Sequence, residues 1–334
     1  MNRSVLHGSL LCLIASMSWG AMFPVAHAAL QHIDAFYFSF IRYAIVAILL
    51  SIVLYAKEGK AAFRLEGKGL AVTFYGSMAF VVYNMCVFLG QQQMGEKGII
   101  IASIMEVLMP IITIMFVWIV SRKTPGKKTA LNIIIAFIGA VLVITRGDFS
   151  FFFMNRSELL PLLLVFIGVT AWVIYSLGAS KFNGWSILRY STLTCILGSF
   201  VSFIVVSGAT AAGLIDIPTL HTLNEIKWDM AFMSLLPGLV ALLSWNKGLQ
   251  LLSSTNGILF INFVPITTFI IVAFQGYTIN AYEILGTLII IAALVHNTLM
   301  QGNQMASTSY TLRKYIRFSK VKLVRTTRLW LSKL

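Results

Sequence analysis

Apolar residues dominate window after window of eighteen residues or more, and each window stops at a short cluster of Gly, Pro and charge. Ten such runs cover about 6 to 27, 36 to 56, 69 to 90, 98 to 120, 129 to 146, 159 to 180, 187 to 207, 231 to 251, 257 to 274 and 282 to 300. Runs of this length match the hydrocarbon thickness that a helix must cross in a bilayer. The longest connection, 208 to 230, mixes Gly213 and Pro218 with scattered charges, which predicts a loop or a short surface helix. No remaining stretch is long enough for a soluble catalytic domain. The predicted fold class is an all-α integral membrane protein with ten transmembrane helices.

Composition agrees, with 58% hydrophobic and 11% charged residues, far below the charge of a water-soluble domain. The first run begins after Arg3 and ends in "VAHAAL", which imitates a secretory signal. It is longer than a signal core and is read as the first span. Cys12, Cys86 and Cys195 all fall inside runs and read as small packing residues. The histidines have no metal-ligand spacing, so no metal or other cofactor is expected.

The formal net charge of +14 does not point to nucleic acid, because its positions follow the membrane. With a cytoplasmic N-terminus, eighteen Lys and Arg lie on the inner side and four on the outer side. That bias predicts both termini inside a cell (inner) membrane. The tail, 301 to 334, interleaves basic and apolar residues without an acid. Two readings stand for it: an amphipathic helix on anionic lipid, or a disordered solubilising tail.

One segment occurs twice. "FSFIRYAIVAILL" (38 to 50) and "WSILRYSTLTCIL" (185 to 197) match at Ser39 and Ser186, Arg42 and Arg189, Tyr43 and Tyr190, and Leu50 and Leu197. Trp19 pairs with Trp172, Asn84 with Asn246, and "MPIIT" (109 to 113) with "VPITT" (264 to 268) in the same order. Five spans thus repeat as five spans, over 5 to 150 and 157 to 300. An odd number of spans inverts the second copy, which is the symmetry of alternating access. Arg42 then lies about 9 Å below one surface, within reach of snorkelling, with Asp34 as its local partner. Arg42 and Arg189 read as anchoring or gating residues, one at each mouth, or as contacts for an anionic substrate.

Glu106 is the acid deepest inside a run, about 12 Å into the fourth. Ser103, Glu106, Pro110 and Thr113 share a helical face. Pro110 removes a backbone donor and frees a carbonyl near Glu106. The functional reading is that Glu106 binds a substrate amine or takes a proton; the structural reading is a static packing glutamate. Asn262 and Pro265 hold the related positions in the ninth run, an amide replacing the acid. Trp19, Phe23, Asn84, Trp172, Tyr175, Trp245 and Asn246 complete the candidate cavity, a mixture of flat walls and amides that suits an amphiphilic solute. Ordinary packing and interhelical hydrogen bonding are the competing readings for each.

These features together resemble the EamA-type carriers of the drug/metabolite transporter superfamily. The resemblance rests on "WGAMFPVA" (19 to 26), "FIRY" (40 to 43), "MPIIT", "FINFVPITT" (260 to 268) and "EILGTLIIIAALVHN" (283 to 297), in order across both halves. It implies ten helices, cytoplasmic termini, a central cavity between the halves, and export or exchange of small metabolites such as amino acids. Two places depart from it. A glutamate common after the fourth and ninth spans is replaced by Arg122 or Lys123 and by Tyr277, so no role for that acid carries over.

The expected function is secondary transport of small organic metabolites, outward and proton-coupled. No Walker-type sequence is present to couple ATP. The alternatives are uptake or exchange of a nucleotide-like cofactor, a membrane-embedded lipid-modifying enzyme, and a non-transporting scaffold. An enzyme would need clustered acids, histidines or a nucleophile with its base, and one deep glutamate does not supply them.

Overall fold

The computed structural model describes residues 3–122, 126–148, 156–252, 260–261, 263–293 and 295–296, and these contain helices but no strands. The tail from 301 onward, with the two readings given for it, lies outside the described residues. In chain order the helices are α1 (Arg3–Ala29), α2 (Ala35–Glu58), α3 (Gly69–Ser77), α4 (Asn84–Met94), α5 (Glu96–Val107), α6 (Met109–Ser121) and α7 (Lys127–Thr145). Then come α8 (Arg156–Gly178), α9 (Ile187–Ala211), α10 (Leu220–Glu225), α11 (Lys227–Met233), α12 (Ala241–Leu252), α13 (Phe263–Phe274) and α14 (Ala281–Ala293). Among the described residues seven continuous stretches are long and apolar enough to cross a membrane, and α13 and α14 are shorter apolar helices inside the predicted ninth and tenth runs.

The predicted fourth run is broken in two. Pro110 has no N–H to donate to the carbonyl of Glu106, so the ladder lapses at Leu108 and restarts as α6. The predicted third and eighth runs stay continuous but change pitch. Met78–Tyr83 and Ser234–Val240 are π-helical turns, the second containing Pro237. A π turn leaves carbonyls without their usual i+4 partner, and such turns concentrate at functional sites. Here Asn84 Nδ2 donates to the carbonyl of Ala79 at 2.7 Å. Between α9 and α11 the long connection folds as the short α10, capped by the Thr219 hydroxyl.

Helices before residue 150 pack on helices after 156 rather than mainly on each other. α1 runs along α12 and α13, α2 and α3 along α9, and α4 along α8. The Ser186 hydroxyl donates to Glu58 at 2.5 Å, and Tyr37 shares a 2.9 Å hydrogen bond with Thr210. So α2 and α9 are antiparallel, and they define a near end (Glu58, Ser186) and a far end (Tyr37, Thr210). Side chains such as Ile48, Ile52 and Phe137 are more than half exposed on the outer surface, as a chain solvated by lipid requires, while Ser, Thr and amide groups are turned inward. The three cysteines are free, with Cys12 and Cys195 buried.

Two glycine pairs sit at close helix crossings. A Cβ on Gly286 of α14 would lie 2.5 Å from the carbonyl oxygen of Gly139 on α7, and one on Gly198 of α9 would lie 2.5 Å from that of Gly76 on α3. Small residues allow this approach, which gains van der Waals contact where no hydrophobic effect drives association. Gly286→Val is therefore expected to force α7 and α14 apart and to cost about 1–3 kcal/mol. Gly208→Ala, where no atom lies within 4 Å, is expected to leave thermal unfolding in detergent unchanged. Equal stability of the two variants would refute the crossing.

Candidate functional site

A cavity at mid-depth is lined by the predicted Trp19, Arg42, Glu106, Trp172 and Tyr175, together with Met22, Tyr43, Phe80, Tyr83 and Pro237. It is narrow, with a volume of about 40 Å³, room for little more than water. The walls are a chain of rings: Tyr43 to Phe80 at 4.8 Å, Phe80 to Tyr175 at 5.7 Å, Tyr175 to Trp172 at 5.3 Å, and Trp172 to Tyr83 at 4.9 Å.

Two buried charged residues face this space. Arg42 is 1% exposed, so it does not snorkel to a surface. Its Nε donates to the carbonyl of Met233 at 3.2 Å, at the start of the second π turn. Nη1 reaches Asn84 Oδ1 at 3.5 Å and Nη2 reaches Met22 Sδ at 3.4 Å. The rings of Tyr43 and Phe88 flank the guanidinium at 4.8 and 5.7 Å. Asp34, the partner expected from sequence, instead caps α2, accepting from the N–H of Phe36 and Tyr37. Glu106 is 3% exposed and accepts a hydrogen bond from the Tyr83 hydroxyl. Tyr83 was missed in the sequence; its spacing of three from Phe80 was the available signal.

The other candidates divide. Asn84 supports Arg42 from behind the wall, and Trp245 packs on Trp19 at 5.3 Å, whose Nε1 donates to the carbonyl of Pro237 at 3.2 Å. Phe23 is fully buried in the hydrophobic core and Pro265 is buried in α13; neither lines the cavity. Asn246 is half-buried outside the lining. Pro110 acts on the backbone, through the break between α5 and α6. Asn262 lies outside the described residues.

Arg189 sits at the near end, where sequence offered no partner. Its Nη2 lies 2.6 Å from Glu66 Oε1 and 2.6 Å from the carbonyl of Arg64, and its guanidinium stacks on Trp185 at 4.2 Å. The Trp185 indole N–H donates to Glu66 Oε2 at 2.8 Å. At the far end, Arg146 Nε lies 3.4 Å from Glu283 Oε1, which also accepts from the Tyr277 hydroxyl at 3.0 Å, while Oε2 accepts from the Asn280 N–H at 2.7 Å. Burial, then the Glu283 carboxylate, pushes the Tyr277 phenol up to about 12, so it remains a donor. The end is assigned by Gln92, which donates to the carbonyls of Leu30 and Ile33 just before α2, while the adjoining Gln93 shares a cleft of about 480 Å³ with Arg146 and Glu283. Glu66 and Arg146 both adopt φ of 52°, uncommon outside glycine.

The indole bond from Trp185, and then Arg189, hold the Glu66 carboxyl below its ordinary value. A depressed carboxyl favours the assembled cluster above the ordinary carboxylate range and loses that contribution as pH falls through its lowered value. An acid titration of tryptophan fluorescence is expected to show a Trp185 component, absent in Trp185→Phe, with a midpoint below the usual value of about 4.3. Arg189→Gln should move that midpoint upward, and a midpoint at or above the ordinary value in the unaltered chain would contradict the geometry.

Among the described residues no group of three His, Cys, Asp or Glu is arranged to hold a metal. The chain matches the model of the EamA-like transporter family over residues 6–145 and 159–299. It is 51% identical over 297 residues to the uncharacterized transporter YrdR of Bacillus subtilis strain 168, covering 89% of this chain and 92% of that one. It is 25% identical over 287 residues to the uncharacterized transporter YyaM of the same strain, covering 84% and 90%. A solved crystal structure with 13% identity superposes with a TM-score of 0.64, covering 88% of this chain and 96% of that one, and shows the same fold. The apolar helices make this an integral membrane protein, and its sequence places it in the EamA-like transporter family.

Proposed function

We propose that this chain is a secondary carrier of ten spans in two inverted halves. It moves small organic amphiphiles, amino acids or related solutes, out of the cell by alternating access, with both termini on the cytoplasmic side of the inner membrane. The observation that carries the reading is the pair of buried charged residues, Arg42 and Glu106, lining one aromatic cavity without forming an ion pair with each other. Two buried charged groups that merely stabilised the bundle would be expected to pair. Left apart across a cavity, they are positioned to hold a polar headgroup, while Trp172 and Tyr175 meet an apolar body. The family match over both halves supports the two-repeat reading.

The narrow cavity fits a conformation closed at both ends. The cluster of Arg189, Glu66 and Trp185 ties the second half to the first at the near, cytoplasmic end, and Arg146 with Glu283 ties the first to the second at the far end. Glu66 is half exposed, so solvent screens its pair with Arg189. Glu283 is 2% exposed and holds three contacts. In this reading the near end opens more readily, admits solute from the cytoplasm, and recloses before the far end parts. Glu106, accepting from Tyr83, is the group that exchanges the coupled proton.

Metabolite profiles inside and outside expressing cells, followed by flux in liposomes holding the purified chain, test this. The unaltered protein is expected to move one solute class outward, and Glu106→Gln to abolish that flux while folding normally; absence of any flux from the liposomes would sink the proposal. Glu66→Arg and Arg189→Glu are each expected to reduce flux, and the charge-swapped double variant to restore part of it. Independent, additive losses would remove the gating role.

A further inference from the structure

The guanidinium of Arg42 is buried, lines the cavity and holds its terminal nitrogens on weak partners. Only its Nε has a good acceptor, the Met233 carbonyl at 3.2 Å. The two terminal nitrogens carry four of its five N–H bonds. They meet one amide oxygen at the outer limit of a hydrogen bond, 3.5 Å, and one thioether sulfur, a weak acceptor. Among the described residues it forms no ion pair with any carboxylate. Asp34 is committed to the α2 cap, and Glu106 already receives the Tyr83 hydroxyl. A charge 1% exposed and left in this condition is costly, and the cost falls when a planar anion takes its free edge.

The rings of Tyr43 and Phe88 restrict the plane of the group, and Nε is held from behind by the π-turn carbonyl. A guanidinium fixed in this way presents its terminal N–H groups as a fork suited to two carboxylate oxygens. Lysine in the same place would offer a point charge without that geometry. The rest of the cavity is aromatic and apolar, so the anion should belong to a flat organic body.

We propose that solute binds through a carboxylate seated on Arg42, with its apolar body along Trp172 and Tyr175. This rests on the transport reading and narrows its substrates to carboxylate-bearing solutes. A simple organic acid and an amino acid share the headgroup, and the second adds an amine that Glu106 would meet.

Three probes with one phenyl body separate the cases: 3-phenylpropionate, phenylalanine and phenethylamine, carrying an anionic, a zwitterionic and a cationic headgroup. Equilibrium binding to the purified full chain in lipid nanodiscs is expected to favour a carboxylate probe over phenethylamine by roughly tenfold or more. Equal binding of the acid and the amino acid means that the carboxylate alone is read. Tighter binding of phenylalanine, reduced in Glu106→Gln, means that the amine is read as well. In Arg42→Gln the preference over phenethylamine should vanish, and Arg42→Lys should recover part of it. The rank order in the unaltered chain is decisive even if these variants fold poorly. Phenethylamine binding best, neither carboxylate binding, or Arg42→Gln binding as the unaltered protein does would overturn the inference. Flux of the same probes separates it from the transport reading. Carboxylates that bind without being carried defeat transport and leave the site standing; an amine that is carried while the acids are not does the reverse.

Discussion

The hydrogen bond from Arg42 Nε to the carbonyl of Met233 joins a buried charge to a backbone group left without its helical donor, because the residue four further on is Pro237. A guanidinium in hydrocarbon surroundings needs acceptors, and Met233, which ends α11 just before the π turn at Ser234–Val240, supplies one. The same turn offers the Pro237 carbonyl to Trp19, which in turn packs on Trp245. On the opposite wall the π turn at Met78–Tyr83 positions Phe80 and Tyr83, and its Ala79 carbonyl holds the Asn84 amide toward Arg42. Remove the arginine and both distortions of helical pitch lose a reason to exist.

Packing carries that local arrangement through the bundle. The helices that form the cavity come from both halves of the chain, and beside them glycine permits close approach at the α3–α9 and α7–α14 crossings. Burial is achieved less by hydrophobicity, since lipid is equally apolar, than by close contact and satisfied polar groups. A mid-depth cavity in such a bundle is a place where close contact was given up. Here it is lined by aromatic faces, which tolerate a dry or a wet neighbour, and by Arg42 and Glu106, which are costly to keep from water without partners.

The two ends are unequal in a way that the cavity alone would not suggest. At the near end a half-exposed glutamate shares an indole N–H and an arginine, and its charge is screened by water. At the far end a buried glutamate is held by a phenol, a backbone N–H and Arg146. Each ion pair takes its arginine from one half and its glutamate from the other.

Much of this was legible in the residues themselves. Because lipid permits only helices with internally satisfied backbones, run length alone marked the apolar segments, seven of which are helices long enough to cross a membrane among the described residues. The missing N–H of Pro110 was legible as a freed carbonyl, but the fourth run reads as continuous and the structure divides it there. The repeated "FIRY" and "ILRY" segments singled out Arg42 and Arg189, and Trp19, Trp172 and Tyr175, grouped from the sequence, line one cavity. The sequence could not say that one arginine faces the cavity and the other an exposed glutamate, because the environment of a long side chain is decided by what packs opposite it. Met233 is 191 residues from Arg42, and Glu66 is 123 from Arg189. Nor did helical periodicity predict the π turns at Met78–Tyr83 and Ser234–Val240. Spans, break and repeat are properties of the chain; the partners of its charges are properties of the packed bundle, since only tertiary contact supplies the acceptors that a buried charge requires.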